Sequence, residues 1–313
     1  MNVSPPPSVA ILIAAYNAQA TLQRAIASAL SQPEVTQVIV IDDASQDSSV
    51  SIAENAATGD ARLRVLKQAV NAGPAAARNR GLAEAEADWI GVLDADDYFQ
   101  PGRVGRLLAY AEQSDFIADE LLRVGYESAE APAPAAWSAE TARPIDFAAF
   151  VESNLAKAQL DLGFAKPLMR RSFLAAHSLT YRDMRLGEDY ELYARAIALG
   201  ARFLLTPPAG YISVEREGSL SKKHSEHDLR LLRDCDDALA RIRPLRSSEQ
   251  RALNRHRASV DHRLQWRLLI SAVKARDPVA AAKTFHDPAA ALYLARQLGE
   301  QVWVRGKKRF AAR

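Results

Sequence analysis

The chain has 313 residues, 48% of them hydrophobic, and a formal net charge of +2, which is the composition of an ordinary globular protein with one large domain and an appendage. Its single cysteine, Cys235, excludes an internal disulfide framework, and no apolar run reaches the roughly 18 residues that a membrane-spanning helix needs. The first apolar run follows Pro5–Pro7 rather than a basic segment, which favours a strand over a signal peptide and a cytoplasmic location.

The small net charge conceals an acidic body and a basic C-terminal region. Residues 222–313 hold 21 Lys and Arg against 10 Asp and Glu, a balance of +11, whereas residues 1–221 hold 19 against 28, a balance of −9. Trp303 stands just before the basic segment 305–310. Cations beside aromatics favour peripheral contact with the anionic inner face of a membrane, and the lack of a recognition motif argues against nucleic acid. The simpler alternative is that the basic region pairs with the acidic body.

Strands and helices are predicted to alternate through the first hundred residues. Apolar runs predict strands, apolar residues at helical spacing predict helices, and Ser48 or Ser49 and Pro74 are suitable helix starts. The predicted elements are strand 9–15, helix 21–30, strand 38–41, helix 48–57, strand 63–66, a helix from Pro74 and a strand ending at Asp94. Strands separated by helices indicate an α/β fold with a mostly parallel, Rossmann-like central sheet.

The second part of the chain has a less regular pattern. Residues 128–144 are rich in Ala and Pro and are expected to form an irregular loop. Further predicted elements are a helix over Asp146–Leu160, a helix over 186–197, a strand over 201–205 and basic helices from about 226. The resulting division is a domain over 1–221, with halves at about 8–125 and about 145–221, and a basic helical region over 222–313.

The predicted strand over 89–93 is followed by Asp94-Ala95-Asp96-Asp97, three carboxylates in four positions. Such close acids repel one another unless a cation lies among them, and Mg²⁺ or Mn²⁺ takes oxygen ligands that it shares with substrate phosphates. A solvated acidic turn is the simpler explanation. An earlier strand also ends in paired acids, Asp42 and Asp43, and ligands gather beyond the carboxyl ends of parallel strands. These acids therefore predict a ligand site.

Five motifs within residues 8–221 together resemble the family-2 glycosyltransferases of the GT-A fold, inverting enzymes that use nucleotide sugars. In chain order they are Ala14-Ala15-Tyr16-Asn17, Asp42-Asp43-Ala44-Ser45-Gln46-Asp47, Asn71-Ala72-Gly73 with Arg78-Asn79, Asp94-Ala95-Asp96-Asp97 and Gly187-Glu188-Asp189. One departure is Ala44, where the family usually has Gly. The Gln-x-x-Arg-Trp motif of the family's processive synthases is absent, which implies single sugar additions.

The resemblance implies a role for each acid. Asp94 and Asp96 would hold Mg²⁺ or Mn²⁺ under the diphosphate of the donor, where the metal neutralises the charge of the departing group. Asp97 would support the metal through its water shell. Asp189, supported by Glu188, would accept the proton of the acceptor hydroxyl. One base opposite the leaving group implies direct displacement with inversion.

The other matched residues are assigned to donor binding, for which UDP-sugars are favoured. They are Ala14, Ala15, Tyr16 and Asn17 near the base, Asp42 and Asp43 at the base and ribose, and Asn71, Gly73, Arg78 and Ala95. Arg78 could instead be a solvated helix residue, and Asn79 could satisfy loop backbone groups. The implied acceptor is a carbohydrate or lipid-linked oligosaccharide in bacterial surface or exported polysaccharide biosynthesis.

Other classes share part of the pattern. A haloacid-dehalogenase-type phosphatase also ends a strand in Asp-x-Asp, but on its first strand. A receiver-like, phosphate-accepting signalling module uses paired acids and a Lys-Pro such as Lys166-Pro167, but its acidic pair closes the first strand. A nucleotide-sugar-binding protein without activity would not need Asp94, Asp96 and Asp189. No Gly-x-Gly-x-x-Gly supports a dinucleotide-binding fold.

Overall fold

A computed structural model describes residues 7–125, 142–155, 160–215 and 224–311, with side chains through Gln301 and at Trp303. Its first part alternates strand and helix as the sequence predicts: β1 (Val9–Ala15), α1 (Leu22–Leu30), β2 (Val35–Asp42), α2 (Ser49–Gly59), β3 (Leu63–Lys67), α3 (Pro74–Glu84) and β4 (Trp89–Val92). The four strands are parallel, in the order β3-β2-β1-β4. Their C-terminal ends meet at one side of the sheet, called here the carboxyl edge.

The next part completes this sheet and adds a smaller one. Its elements are β5 (Tyr98–Phe99), α4 (Arg103–Leu108), β6 (Phe116–Asp119), β7 (Leu122–Gly125), β8 (Arg143–Ile145), α5 (Phe147–Ser153), β9 (Leu168–Arg170), α6 (Arg171–Ala176), α7 (Glu188–Ala198), β10 (Phe203–Thr206) and β11 (Tyr211–Glu215). The large sheet has eight strands in the order β3-β2-β1-β4-β9-β6-β10-β8, in which β9 and β8 run antiparallel to their neighbours. Strands β5, β11 and β7 form the smaller sheet.

Two predicted boundaries were wrong. The helix expected over Asp146–Leu160 ends at Ser153, whose hydroxyl accepts a hydrogen bond from Leu162 N at 3.1 Å. The irregular loop expected over 128–144 falls mostly outside the described residues. Its end at Arg143 begins β8, because this segment pairs antiparallel with β10, a long-range contact that the local sequence does not reveal.

Two apolar clusters cover the two faces of the large sheet. Leu12 of β1 belongs to one cluster, and Ile11 and Ile13 belong to the other, all fully buried. A strand covered on both faces needs a continuous apolar run, which is why β1 has one. In β4, a Cβ added at Gly91 would lie 2.8 Å from Ile11 Cδ1 and 3.0 Å from Leu168 Cδ2. The glycine therefore lets β1 and β9 pack closely around the strand that precedes Asp94.

The C-terminal region forms α8 (Glu226–Leu239), α9 (Ser247–Ala275), α10 (Pro278–Lys283) and α11 (Pro288–Ala311), as the sequence predicts. A capping box of Ser225 and Asp228 begins α8. Leu232 and Val260 are buried in the same cluster as Leu12, so α8 and α9 pack onto the α/β part. The domain boundary near residue 221 lies outside the described residues. Within the described ranges, no helix is both long and apolar enough to cross a membrane.

A buried polar network fixes α7 against the C-terminal helices. Tyr190 of α7 donates to Asp236 Oδ1 at 3.1 Å, and His256 Nδ1 lies 2.8 Å from Asp236 Oδ2. His256 Nε2 lies 2.8 Å from Asn154 Oδ1, which extends the network to the end of α5. When all members of a buried polar network are hydrogen-bonded to one another, the network fixes the relative positions of the elements that carry them. The first turn of α7, which carries Glu188, Asp189 and Glu191, is therefore held in place.

Candidate active site

The end of β2 organises a loop at the carboxyl edge. Asp43 is 4% exposed and accepts hydrogen bonds from the backbone N–H groups of Ala72 and Gly73, both at 2.8 Å. Gln68 Nε2 donates to the same carboxylate at 2.7 Å. Asp43 thereby positions the loop that leads to Pro74 at the start of α3. All of these hydrogen bonds come from other residues of the chain. The assignment of Asp43 to the base and ribose of the nucleotide stays a prediction.

A tight turn after β2 ties this strand to the end of β1. Asn17 Oδ1 accepts from Gln46 N at 2.8 Å, and Asn17 N donates to Ser45 Oγ at 3.0 Å. Asp42 Oδ2 accepts from Ser45 N at 3.0 Å, whereas its buried Oδ1 has no hydrogen-bond partner among the described residues. Ala44 has a φ of +61°, in the left-handed region that favours glycine. That conformation explains why the resembled family usually has Gly at this position.

The residues that end β1 differ in what they expose. The side chain of Ala15 is buried, and its carbonyl accepts a hydrogen bond from Asp43 N at 2.8 Å. Ala14 is partly buried. Tyr16 leaves 49% of its surface exposed at the carboxyl edge. Of these three side chains, only the Tyr16 ring has a large surface available to a ligand.

A cleft opens beside the loop that Asp43 positions. Its lining includes Asn71 and Gly73, together with Asp183, Arg185 and, from α8, His227. The sequence analysis assigned Asn71 and Gly73 to the donor site. Asp183, Arg185 and His227 belong to no motif, and the sequence did not predict that they line this cleft.

Five charged side chains meet on the other side of the carboxyl edge. Arg78 Nη2 lies 2.9 Å from Asp94 Oδ1, and Arg78 Nη1 lies 2.9 Å from Glu188 Oε1 and 3.3 Å from Asp189 Oδ1. Lys166 Nζ lies 2.6 Å from Asp189 Oδ2 and 3.2 Å from Asp94 Oδ2. Each cation therefore bridges the end of β4 to the first turn of α7. The motifs that were matched separately in the sequence come together in this charged cluster.

Burial and ion pairing shift the pKa values in the charged cluster. Burial alone would raise the pKa of Asp94, but Lys166 and Arg78 outweigh it and lower the pKa to about 2. Burial would lower the pKa of Lys166, but the neighbouring Asp189 and Asp94 raise it above its usual value. Burial, reinforced by Asp189, raises the pKa of Glu188. Asp94 is therefore ionised and Lys166 protonated throughout the neutral range.

Asp97 ties the Asp-rich segment to the smaller sheet. It accepts a hydrogen bond from the Tyr211 hydroxyl at 2.9 Å and from Val214 N at 2.8 Å. Burial, followed by the charge of Asp94, raises the pKa of Asp97 to about 7. The Tyr211 hydroxyl also accepts from Asp94 N at 3.2 Å. Asp97 is 5% exposed, so its visible role is to position Asp94, and the predicted contact with a metal-bound water stays a prediction.

The donor set at this edge suits a divalent ion that is completed by substrate. Asp94 and Asp96 are partly exposed, and the Asp96 carbonyl is held by Arg24 Nη2 at 2.8 Å. Among the described residues, no group of three or more His, Cys, Asp or Glu side chains is arranged to hold a metal. Mg²⁺ is commonly bound by one or two carboxylates together with substrate phosphates, so two aspartates fit it.

The sequence analysis missed Lys166 as a member of the charged cluster. The Lys166-Pro167 pair was compared only with the receiver-like signalling module. A single lysine outside any repeating pattern gives no other indication of its position in the fold. The residue lies just before β9, whose antiparallel insertion beside β4 places it near Asp94. Asn79, in contrast, is structural, because its side chain makes two 2.8 Å hydrogen bonds with the backbone N–H and carbonyl of Tyr181.

Comparisons with known proteins agree with this arrangement. The model of the family described as glycosyl transferase family 2 matches residues 10–172. The succinoglycan biosynthesis protein ExoU of Rhizobium meliloti is 44% identical over 272 residues, which cover 85% of this chain and 79% of that protein. ExoO of the same organism, also a succinoglycan biosynthesis protein, is 34% identical over 315 residues, which cover 98% of this chain and 88% of that protein.

Solved structures show the same fold at low sequence identity. Residues 1–349 of Staphylococcus aureus TarS, in complex with UDP, match with a TM-score of 0.60 at 16% identity, over 88% of this chain and 90% of that one. The complex of the same protein with UDP-GlcNAc matches with a TM-score of 0.56 at 18% identity and the same coverage. At this identity, the likeness concerns the fold.

The fold and the motifs at its carboxyl edge define a glycosyltransferase of the GT-A fold. The chain belongs to glycosyltransferase family 2, and the resemblance inferred from the five motifs is confirmed. Family membership excludes the phosphatase and the signalling module as its class.

Proposed function

We propose that this enzyme transfers a sugar from a nucleotide-diphosphate sugar, with UDP favoured, to an acceptor hydroxyl with inversion, one sugar at a time. The observation that carries the proposal is the pairing of Asp94 and Asp189 through Arg78 and Lys166. It brings the donor-side acid and the proposed base into one cluster. The names of the two relatives support a role in bacterial polysaccharide biosynthesis.

On the donor side, the turn closed by Asn17 and the loop positioned by Asp43 form a rim for the nucleotide. Tyr16 offers an exposed ring for stacking, and the buried, unpartnered Asp42 Oδ1 is an acceptor available to a base or ribose donor group after a small movement. Asn71 and Gly73 line the adjoining cleft. Arg78, whose guanidinium lies at the junction with the charged cluster, is the cation proposed to meet the diphosphate.

Asp96 and Asp94 are the residues proposed to hold Mg²⁺ or Mn²⁺. When bound, the ion supplies Lewis-acid stabilisation of the departing diphosphate. The carboxylate of Asp94 already faces two cations, so it also serves to hold Arg78 and Lys166 at the place where the charge of the leaving group grows. Charges that are already in position stabilise the developing negative charge of the transition state more than mobile water does.

On the acceptor side, Asp189 is proposed as the general base. The acceptor oxygen attacks the anomeric carbon, its proton passes to Asp189, and the bond to the diphosphate breaks with its electron pair leaving on the nucleotide. In the structure, Lys166 and Arg78 pair with the two oxygens of Asp189, at 2.6 Å from Oδ2 and 3.3 Å from Oδ1. The negative diphosphate competes for the same cations, so donor binding would free an oxygen of the base.

The test is a screen of UDP-, GDP- and TDP-sugars with and without Mg²⁺ or Mn²⁺, read by thermal stabilisation and by donor hydrolysis. The expected result is stabilisation and slow hydrolysis with one nucleotide class. NMR of the glycoside made with an acceptor reports the anomeric configuration, and retention would overturn direct displacement. Binding without hydrolysis or transfer would instead favour an inactive nucleotide-sugar-binding protein.

The proposed place of work is the cytoplasmic face of a membrane, with a carbohydrate or lipid-linked oligosaccharide as acceptor. The support is the +11 balance of residues 222–313 against the −9 balance of residues 1–221. A basic region near an anionic surface gains about 1 kcal/mol per close cation. Nucleic acid is not proposed as a partner.

A further inference from the structure

Exposed apolar side chains concentrate at the C-terminal end of the protein. Among the described side chains, nine large hydrophobic ones are exposed, and six of these lie between residues 273 and 303. They are Val273 (64%), Val279 (63%), Phe285 (41%), Leu292 (75%), Leu298 (45%) and Trp303 (63%). They belong to the end of α9, to α10 with the segment after it, and to α11. Large exposed apolar side chains that are concentrated in one part of a chain are candidates for an interaction surface.

Helix α11 has an inner and an outer face. Ala290 and Leu294 are fully buried, and the helix packs on α9. Leu292 and Trp303 are 75% and 63% exposed, and Arg296 lies between them with Nε 3.0 Å from Glu300 Oε1. Positions 292, 296, 299 and 303 follow the spacing of four, three and four residues that places them on one stripe of a helix. We call this stripe the outer stripe of α11.

The segment around the outer stripe is strongly basic. Residues 273–313 contain nine Lys and Arg against three Asp and Glu. The described part of the outer stripe therefore exposes Leu292 and Trp303 with Arg296 between them, in a segment whose sequence is basic.

We propose that the outer stripe of α11 lies on the surface of an anionic lipid bilayer. The inference deepens the membrane contact in the proposed function by assigning it to a defined surface. Since no described helix can cross a membrane, the contact is interfacial. Leucine and tryptophan enter the boundary between headgroups and acyl chains, while neighbouring cations attract anionic lipids.

Charge and apolar character favour a bilayer over a second copy of the chain and over a nucleic acid. A second copy of the chain could cover the apolar stripe, but it would bring two basic segments together, which is unfavourable. A nucleic acid would satisfy the cations but would leave Leu292 without an apolar partner. An anionic bilayer supplies both the apolar phase and the counter-charge.

The test is sedimentation of the full chain with vesicles of phosphatidylcholine alone or of equal phosphatidylcholine and phosphatidylglycerol. The wild-type protein should bind the anionic vesicles, less so as salt rises. The double variant Leu292→Ser/Trp303→Ser should bind about tenfold more weakly or worse, because both apolar anchors are lost. Val70→Ser is the matched control, since Val70 is 69% exposed and lies outside the region, and it should bind as the wild type does.

Three outcomes would overturn the proposal. The first is that the wild type does not bind anionic vesicles at low salt, and the second is that the double variant binds them as well as the wild type does. The third is that the double variant differs from the wild type only in the molar mass measured by light scattering, with unchanged vesicle binding. The last outcome would assign the surface to a second copy. Donor hydrolysis without vesicles is measured in parallel, so that failure of the membrane surface and failure of the proposed chemistry give different results.

Discussion

Lys166 and Asp189 form a buried ion pair, with Nζ 2.6 Å from Oδ2 and the two side chains only 6% and 8% exposed. The pair joins the segment before β9 to the first turn of α7. The two residues are far apart in the sequence, and no sequence motif contains both. The ion pair nevertheless covers the carboxylate that is proposed as the general base, so an anion that binds Lys166 would compete with Asp189.

Replacing Lys166 by Met should lower both stability and activity. Removal of one partner leaves the acids of the cluster with Arg78 as their remaining cation, and breaking a buried pair costs about 3–5 kcal/mol. Misplacement of the base should lower kcat/KM by about 10²-fold. Urea unfolding and steady-state kinetics measure the two effects. Lys67→Met is the control, because its exposed 2.5 Å pair with Glu54 contributes about 0–1 kcal/mol.

The kinetics of the Lys166 variant distinguish positioning from packing. If the lysine only supported the fold, the activity remaining below the melting temperature would show unchanged KM and pH dependence. A positioning role predicts a higher KM for the donor and an altered pH profile. An unchanged profile together with wild-type kcat/KM would contradict it.

Asp189→Asn tests the general base directly. The amide keeps the size of the side chain but cannot take a proton at neutral pH. Transfer should fall by about 10²–10⁴-fold, while donor binding by calorimetry stays within a few-fold of wild type. Glu188→Gln is the matched variant, since Glu188 contacts Arg78 and has no contact with Lys166 in the described set of ion pairs. Equal losses in the two variants would argue that both residues only hold Arg78.

Much of the parallel half could be predicted from the sequence, and the reason is physical. Strands such as Val9–Ala15 are covered on both faces and must be continuously apolar, and their ends are marked by acids such as Asp42 and Asp94. The smaller sheet could not be predicted, because Tyr98–Phe99 has only two residues and no readable periodicity. Lys166 was missed for the related reason that its place depends on long-range strand pairing.

The metal prediction is tested with Asp96→Ala. If Asp96 and Asp94 share a divalent ion under the diphosphate, the variant should lose the metal-dependent part of nucleotide binding and keep its melting temperature within a few degrees. Calorimetry with nucleotide in Mg²⁺ and in EDTA measures the difference. Binding that retains the wild-type affinity and the wild-type metal dependence would show that Asp96 is not a ligand.

The strained turn after β2 predicts a stabilising change. Ala44 has a φ of +61°, and a left-handed conformation costs a residue with Cβ about 1–2 kcal/mol, part of which glycine loses again through its flexible unfolded state. Ala44→Gly should therefore raise the free energy of unfolding by about 0.5–1 kcal/mol. Ala27→Gly, at an exposed position of α1, should lower it by about 1 kcal/mol. Urea unfolding compares them, and a destabilised Ala44→Gly would contradict the strain.

The last prediction concerns acid stability at the start of α9. The guanidinium of Arg243 hydrogen-bonds to Glu249 at 2.9 Å and, with help from Arg246, lowers the pKa of Glu249 from 4.5 to about 2. A depressed carboxyl pKa stabilises the fold above the unfolded pKa, and this stabilisation is lost as pH falls through the folded pKa. Arg243 is partly exposed and Arg246 is exposed, so solvent screening limits the contribution to about 2 kcal/mol.

Glu249→Gln keeps an acceptor for Arg246 N but removes the charge. At neutral pH the variant should be about 2 kcal/mol less stable than wild type, and the difference should shrink as the pH falls from about 4.5 towards about 2. Urea unfolding across that range measures it. Glu54→Gln, which breaks an exposed pair with Lys67, should cost less than about 1 kcal/mol. A Glu249→Gln deficit that stays constant with pH would show that the carboxylate acts through packing and capping rather than through its charge.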